Sequence, residues 1–101
     1  MAETIITQHW RERVAERVGS VDPDTLARGI MWAIREGRED LVEYVGRLSR
    51  TGARIFRFRA PDGRYFLALI DTNRRSMITV LAEGQAVKRR DGKAGIYEAS
   101  I

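Results

Sequence analysis

The chain has 101 residues, 44% hydrophobic and 32% charged, with one histidine, no cysteine and a formal charge of +4. That composition suits one small domain with a single core and excludes disulfides and thiolate metal centres, and one histidine argues against a zinc site. No apolar run reaches membrane-span length and no basic-then-apolar leader opens the chain, so neither a transmembrane helix nor a signal peptide is expected, and the cytoplasm is the expected location.

In chain order, Glu3 to Ile6 is a short lead-in with β-branched residues, which predicts an edge strand. Thr7 is an N-cap for a helix in which Trp10, Val14 and Val18 recur every four residues and should face the core. His9, Arg13 and Arg17 lie one step, about 100°, to the side of that stripe, at the boundary with solvent. Gly19 ends the helix. Asp22-Pro23 starts a second helix, because Asp22 caps it and Pro23 sits where its missing N–H costs nothing. Leu26, Ile30, Ala33 and Ile34 form its apolar stripe, widened by Met31 and Trp32, and Gly37 closes it. The short connection predicts a helical hairpin.

Leu41 to Leu48 fits both helical and strand periodicity. Gly46 disfavours a helix by about 1 kcal/mol, which tips the reading to strand. From Ala53 the pattern is β: Arg54, Phe56 and Phe58 alternate with Ile55, Arg57 and Arg59. Pro61-Asp62-Gly63 is a turn, Tyr65 to Ile70 a nearly apolar central strand, and 71–75 a second turn. Met77 to Leu81 reads as the last strand, stopped by Gly84. The expected architecture is α+β, a helical hairpin packed on one face of a curved antiparallel sheet of about four strands. It is read as one domain over residues 1–83, with a basic, mobile tail over 84–101.

Charge is unevenly spread. Residues 1–50 hold eight arginines against nine acids, and residues 51–101 hold ten Lys or Arg against five. All but two of the basic residues are arginine, whose planar fork suits phosphate. A GC-rich genome would write the same bias, but the C-terminal excess itself favours an anionic partner, most simply nucleic acid.

Three sets of residues could carry chemistry. His9, Arg13 and Arg17 place one group that titrates near neutrality beside two permanent cations, as RNA cleavage through the 2′-hydroxyl would need; a solvated helix face gives the same pattern. Arg57 and Arg59 share a sheet face that could hold a nucleic-acid backbone, with Tyr65 as a hydrogen-bond donor to phosphate or a simple edge cover. Thr79, between Ile78 and Val80, is either a hydroxyl lining the cleft or an ordinary β-former. No phosphate-binding glycine loop, paired carboxylates or serine nucleophile motif is present, so neither a metal nor a cofactor is expected.

The order Thr7-x-His9-x-x-x-Arg13-x-x-x-Arg17, the helix closed by Gly37, the Arg- and Phe-rich strand Arg54 to Arg59, the Asp62-Gly63 turn and Thr79-Val80 resemble small phage and prophage proteins. These belong to the barnase–EndoU–colicin–RelE group of ribonuclease-like folds, and the resemblance covers about residues 4 to 82. It implies metal-independent, toxin-type cleavage of RNA, with His9 as acid or base, Arg13 and Arg17 as phosphate ligands and Thr79 as an accessory hydroxyl. Arg57 and Tyr65 would assist. Trp10 departs from the small residue expected after the histidine, and no second general acid is visible. Two other functions fit the same residues: a small phage-encoded protein that binds and inhibits a host or defence complex, and a nucleic-acid-binding module without catalysis. An antidote protein would be a natural partner of the toxin.

Overall fold

A computed structural model describes residues 3–19, 21–48, 50–82, 86–88 and 96–98. The order of elements is β1 (Ile5–Ile6), α1 (Gln8–Arg17), α2 (Pro23–Arg35), β2 (Val42–Arg47), β3 (Ala53–Arg59), β4 (Tyr65–Asp71), β5 (Ser76–Ala82), β6 (Ala86–Lys88) and β7 (Ile96–Glu98). The architecture is α+β. One open sheet of five strands has the order β1-β5-β4-β3-β2.

Strands β2 to β5 form the expected antiparallel meander, but the sheet is mixed, because β1 pairs parallel with β5 through Ile5↔Ser76 and Ile6↔Met77. The physical reason is connectivity: α1 carries the chain away from β1, and only the 71–75 turn brings a strand back beside it. Strand β5 is not the last one either. β6 and β7 pair antiparallel with each other, from Ala86↔Glu98 to Lys88↔Ile96, as a separate two-stranded sheet. The rest of the tail expected to be mobile lies outside the described residues.

The helix ends follow local chemistry. Thr7 Oγ1 accepts from the Trp10 N–H at 3.1 Å and donates to the Met77 carbonyl of β5 at 2.8 Å. One hydroxyl therefore caps α1 and fastens it to the sheet. Asp22 caps α2 by accepting from the Thr25 N–H at 2.9 Å. At its other end Gly37 takes φ +65° while the Arg38 N–H reaches the Ala33 carbonyl at 2.8 Å, a glycine-terminated helix. The two helices meet where Trp10 Nε1 donates to the Pro23 carbonyl at 3.0 Å and where Arg11 Nε donates to Asp24 at 2.8 Å.

The main core lies between the helices and one sheet face. Trp10 and Val14 from α1, Val18 just beyond its end, and Ala27, Ile30, Met31 and Ala33 from α2 pack with Val42, Phe56, Phe58, Phe66, Ala68, Ile70, Met77 and Val80. Leu26 and Ile34 sit only part-buried at its rim. Trp32, expected to widen the buried stripe of α2, is instead 43% exposed. It stands on a flank of the helix, with the Arg38 guanidinium 5.6 Å from its ring centre.

The opposite face is more apolar than its arginines suggested. Leu48, Ala53, Ile55, Leu67 and Leu69 form a second buried cluster, joined by part-buried Val45, Ile78 and Leu81. Strict alternation along β3 and β4 sends their even-numbered residues to the helices and their odd-numbered residues here. Two register shifts break alternation in the neighbours, at Val45 of β2 and at Ile78 of β5. None of the helices among the described residues is long and apolar enough to cross a membrane.

Candidate nucleic-acid interface

The registers place the expected site residues on two sides of the sheet. Arg59 pairs with Tyr65, and Arg57 pairs with Leu67 one step along the same face. The Arg57 and Arg59 guanidinium carbons stand 5.3 Å and 5.8 Å from the centre of the Tyr65 ring. All three residues thus converge at one end of the face turned away from the helices. Such contacts contribute about 0.5–1 kcal/mol each at exposed sites.

Their charges are treated differently. Arg57 Nη2 donates to Glu43 of β2 at 2.6 Å, across the direct register pair Glu43↔Arg57. Arg59 is exposed, its Nε donates to the Gly63 carbonyl at 3.3 Å, and no carboxylate among the described residues pairs with it. The turn that brings Tyr65 back opposite Arg59 is closed by the Gly63 N–H on the Ala60 carbonyl at 2.9 Å, with Gly63 at φ +93°. Pro61 and Gly63 therefore set this cluster's geometry.

The α1 stripe is arranged otherwise. His9 is exposed and forms no side-chain hydrogen bond or ion pair among the described residues. Arg13 is engaged by Glu16 at 2.7 Å. Arg17 donates to the Val80 carbonyl of β5, which ties the last turn of α1 to the sheet. Thr79 is paired with Leu69 on the face away from the helices, so the sheet stands between its hydroxyl and the His9 stripe. The structure brings Arg57, Arg59 and Tyr65 together and does not bring Thr79 to His9, Arg13 and Arg17.

Two features were missed from sequence. Glu43, the counter-ion of Arg57, is recognisable only once β2 and β3 are aligned. A groove of about 710 Å³ also opens beside α2, lined by Leu26, Trp32, Leu41, Val42, Phe58 and Pro61 among others. The one clue to it was Gly29, whose missing side chain leaves open space on that flank.

The remaining ion pairs are structural. The Arg11 hydrogen bond holds Asp24 below the usual carboxyl range, and Arg38 does the same for Asp40. Asp62 is lowered by the Arg64 side chain and backbone N–H, and Asp22 by the hydroxyl and N–H of Thr25. Among the described residues no group of three or more His, Asp or Glu side chains could hold a metal ion. Comparison with family models, with curated proteins and with solved structures gives no match to this chain.

Proposed function

We propose that the chain is a single-stranded RNA-binding domain that takes the RNA backbone on the Arg57–Tyr65–Arg59 end of its sheet. The observation that carries this reading is the gathering of two guanidinium groups on one part-exposed tyrosine ring, with Arg59 left without a carboxylate partner among the described residues. Glu43 already answers Arg57, so the charge left for a ligand is that of Arg59, and an RNA phosphate supplies its anion. Arg59 takes a phosphate oxygen, the Tyr65 hydroxyl donates to the same group, and the charge excess of residues 51–101 draws the polyanion in.

Binding without cleavage is favoured because the residues for a ribonuclease centre are divided between the two sides of the sheet. We keep the likeness to the barnase–EndoU–colicin–RelE group at the level of arrangement, on the strength of two helices on one face of a sheet and the β2–β5 meander. Arrangement alone does not carry activity.

The test is fluorescence anisotropy of a labelled single-stranded RNA across a salt series, in EDTA. Wild type binds with a negative salt slope, and Arg59→Gln weakens binding and lowers the slope by about 0.7, one phosphate's worth. Tyr65→Phe weakens it less, and His9→Ala binds as wild type. Equal affinity of wild type and the Arg57→Gln/Arg59→Gln double variant sinks the proposal. Cleavage of the RNA that is lost in His9→Ala would put the toxin-type ribonuclease in its place. Stable co-purification with a host complex and no RNA binding would favour the inhibitor.

A further inference from the structure

We infer that Arg54 and Arg47 form a second anion site, on the helix-bearing face, built for a phosphoryl oxyanion. It lies on the opposite side of the sheet from the Arg59–Tyr65 cluster and does not depend on that cluster binding RNA.

Three observations lead there. First, Arg54 Nη1 is buried and has no hydrogen-bond partner among the described residues. Arg54 also makes no ion pair among the described residues. A guanidinium nitrogen withdrawn from water without an acceptor is costly, and such groups in native proteins call for an explanation, an unseen ion among them. Second, the residue directly across from Arg54 is Arg47. That register sets the two arginines side by side on one face, and Arg47 keeps a contact of its own besides.

Third, Arg47 reaches that face only because of an irregularity. Val42 and Tyr44 pair with Phe58 and Phe56 on the helix-bearing face, so simple alternation would send residue 47 to the other side. The register shift between Tyr44 and Gly46 absorbs Val45 as an extra residue and returns Arg47 to the face of Tyr44 and Arg54. Bulges of this kind commonly re-aim a side chain at a functional site.

The surroundings suit a phosphoryl group. Tyr44 is 53% exposed on the same face, its ring set edge-on against Phe56 at 5.6 Å. Phe56 and Ile70, register neighbours of Tyr44 and Arg54, are buried and give the site an apolar floor. Two planar forks on such a floor match the several oxygens of a phosphate better than the pair of a carboxylate. The group could belong to a nucleic-acid backbone or to a free phosphate compound, and the chemistry of the site is the same for both.

The probe is inorganic phosphate, titrated into the full chain at constant ionic strength with chloride as the replaced anion, and followed by amide chemical shifts. Wild type saturates, with shifts clustered at residues 44–47 and 54–56. Arg54→Met, which keeps the apolar stem and removes the orphaned nitrogen, weakens phosphate binding at least tenfold while staying folded by its own spectrum. Arg59→Gln leaves phosphate binding at this site unchanged, so this site and the proposed RNA surface fail separately. No saturable shift in wild type, or equal saturation in Arg54→Met, overturns the inference. A short single-stranded RNA added to the phosphate-loaded chain names the source: displacement of phosphate from residues 44–56 identifies a nucleic-acid backbone, and retention identifies a free phosphate compound.

Discussion

Replacing Thr7 with valine isolates the contact on which the placement of α1 depends. The Thr7 hydroxyl accepts from the Trp10 N–H at 3.1 Å and donates to the Met77 carbonyl at 2.8 Å, beside the Ile78 bulge of β5. Valine has the same shape and can do neither. Loss of an N-cap costs about 1 kcal/mol, and loss of a second part-buried hydrogen bond costs about 1 kcal/mol more. The added methyl, part-buried between helix and strand, offsets about 0.5 kcal/mol. The expected cost is about 1.5 kcal/mol, roughly a tenfold change in the unfolding constant. With a urea m-value of about 1.2 kcal/mol/M for a domain of this size, the midpoint falls by about 1.2 M with the slope unchanged. Thr7→Ser keeps both hydrogen bonds and loses only a methyl, so its midpoint falls by less than half as much. A Thr7→Val midpoint within about 0.4 M of wild type, or equal losses in Val and Ser, would refute the double role of the hydroxyl.

Two glycines should respond oppositely to alanine. Gly29 is exposed within α2 with nothing near its would-be Cβ, so Gly29→Ala should stabilise by about 0.8–1 kcal/mol, read as a higher urea midpoint. Gly52 holds φ +134°, and a Cβ there would stand 2.8 Å from both Asn73 Nδ2 and Asp71 Oδ1, so Gly52→Ala should destabilise by more than about 2 kcal/mol. The lowered carboxyls of Asp22, Asp24, Asp40 and Asp62 fix the direction of acid sensitivity. Unfolding returns each to its ordinary value near ~3.9, so the unfolded chain binds protons first as the pH falls. Their stabilisation is present above about pH 5 and is lost as the pH drops through the depressed folded values. Urea midpoints should hold steady from pH 8 to 6 and fall below about pH 4.5, and Asp24→Asn should make that fall shallower.

What the sequence revealed depended on the range of the signal. Helix ends are local: the caps at Thr7, Asp22-Pro23 and Gly37 each rest on hydrogen bonds within about five residues, and all three stand where expected, whereas the Thr7 bond to Met77 has no local signal. The four-residue spacing of Trp10, Val14 and Val18 likewise marked the buried face of α1. Trp32 was misread because hydrophobicity alone does not say which flank of a helix the sheet covers. The parallel pairing of β1 depends on how α1 folds the chain back, and no residue of Ile5–Ile6 encodes it. The Arg57–Arg59 alternation was legible, since alternation is a property of one strand; its partner Glu43 was not, since that is a property of two.

The same distinction explains why spacing alone does not make the His9 stripe a site. Helical spacing aligns His9, Arg13 and Arg17 on any helix, but it does not say what faces them. Here Arg13 and Arg17 are occupied by Glu16 and by the Val80 carbonyl, so the second and third members of the stripe hold the protein together. Charge that a fold consumes internally is not offered to a ligand. By that criterion the informative cations are the ones that the described residues do not answer: Arg59, exposed beside Arg57 over one tyrosine, and Arg54, with a buried nitrogen that has no acceptor among them. Both lie on β3, two positions of opposite parity on a single strand. In the reading proposed above, the alternation of that strand equips each face of the sheet with a place for an anion, and the bulge in β2 completes the second of them.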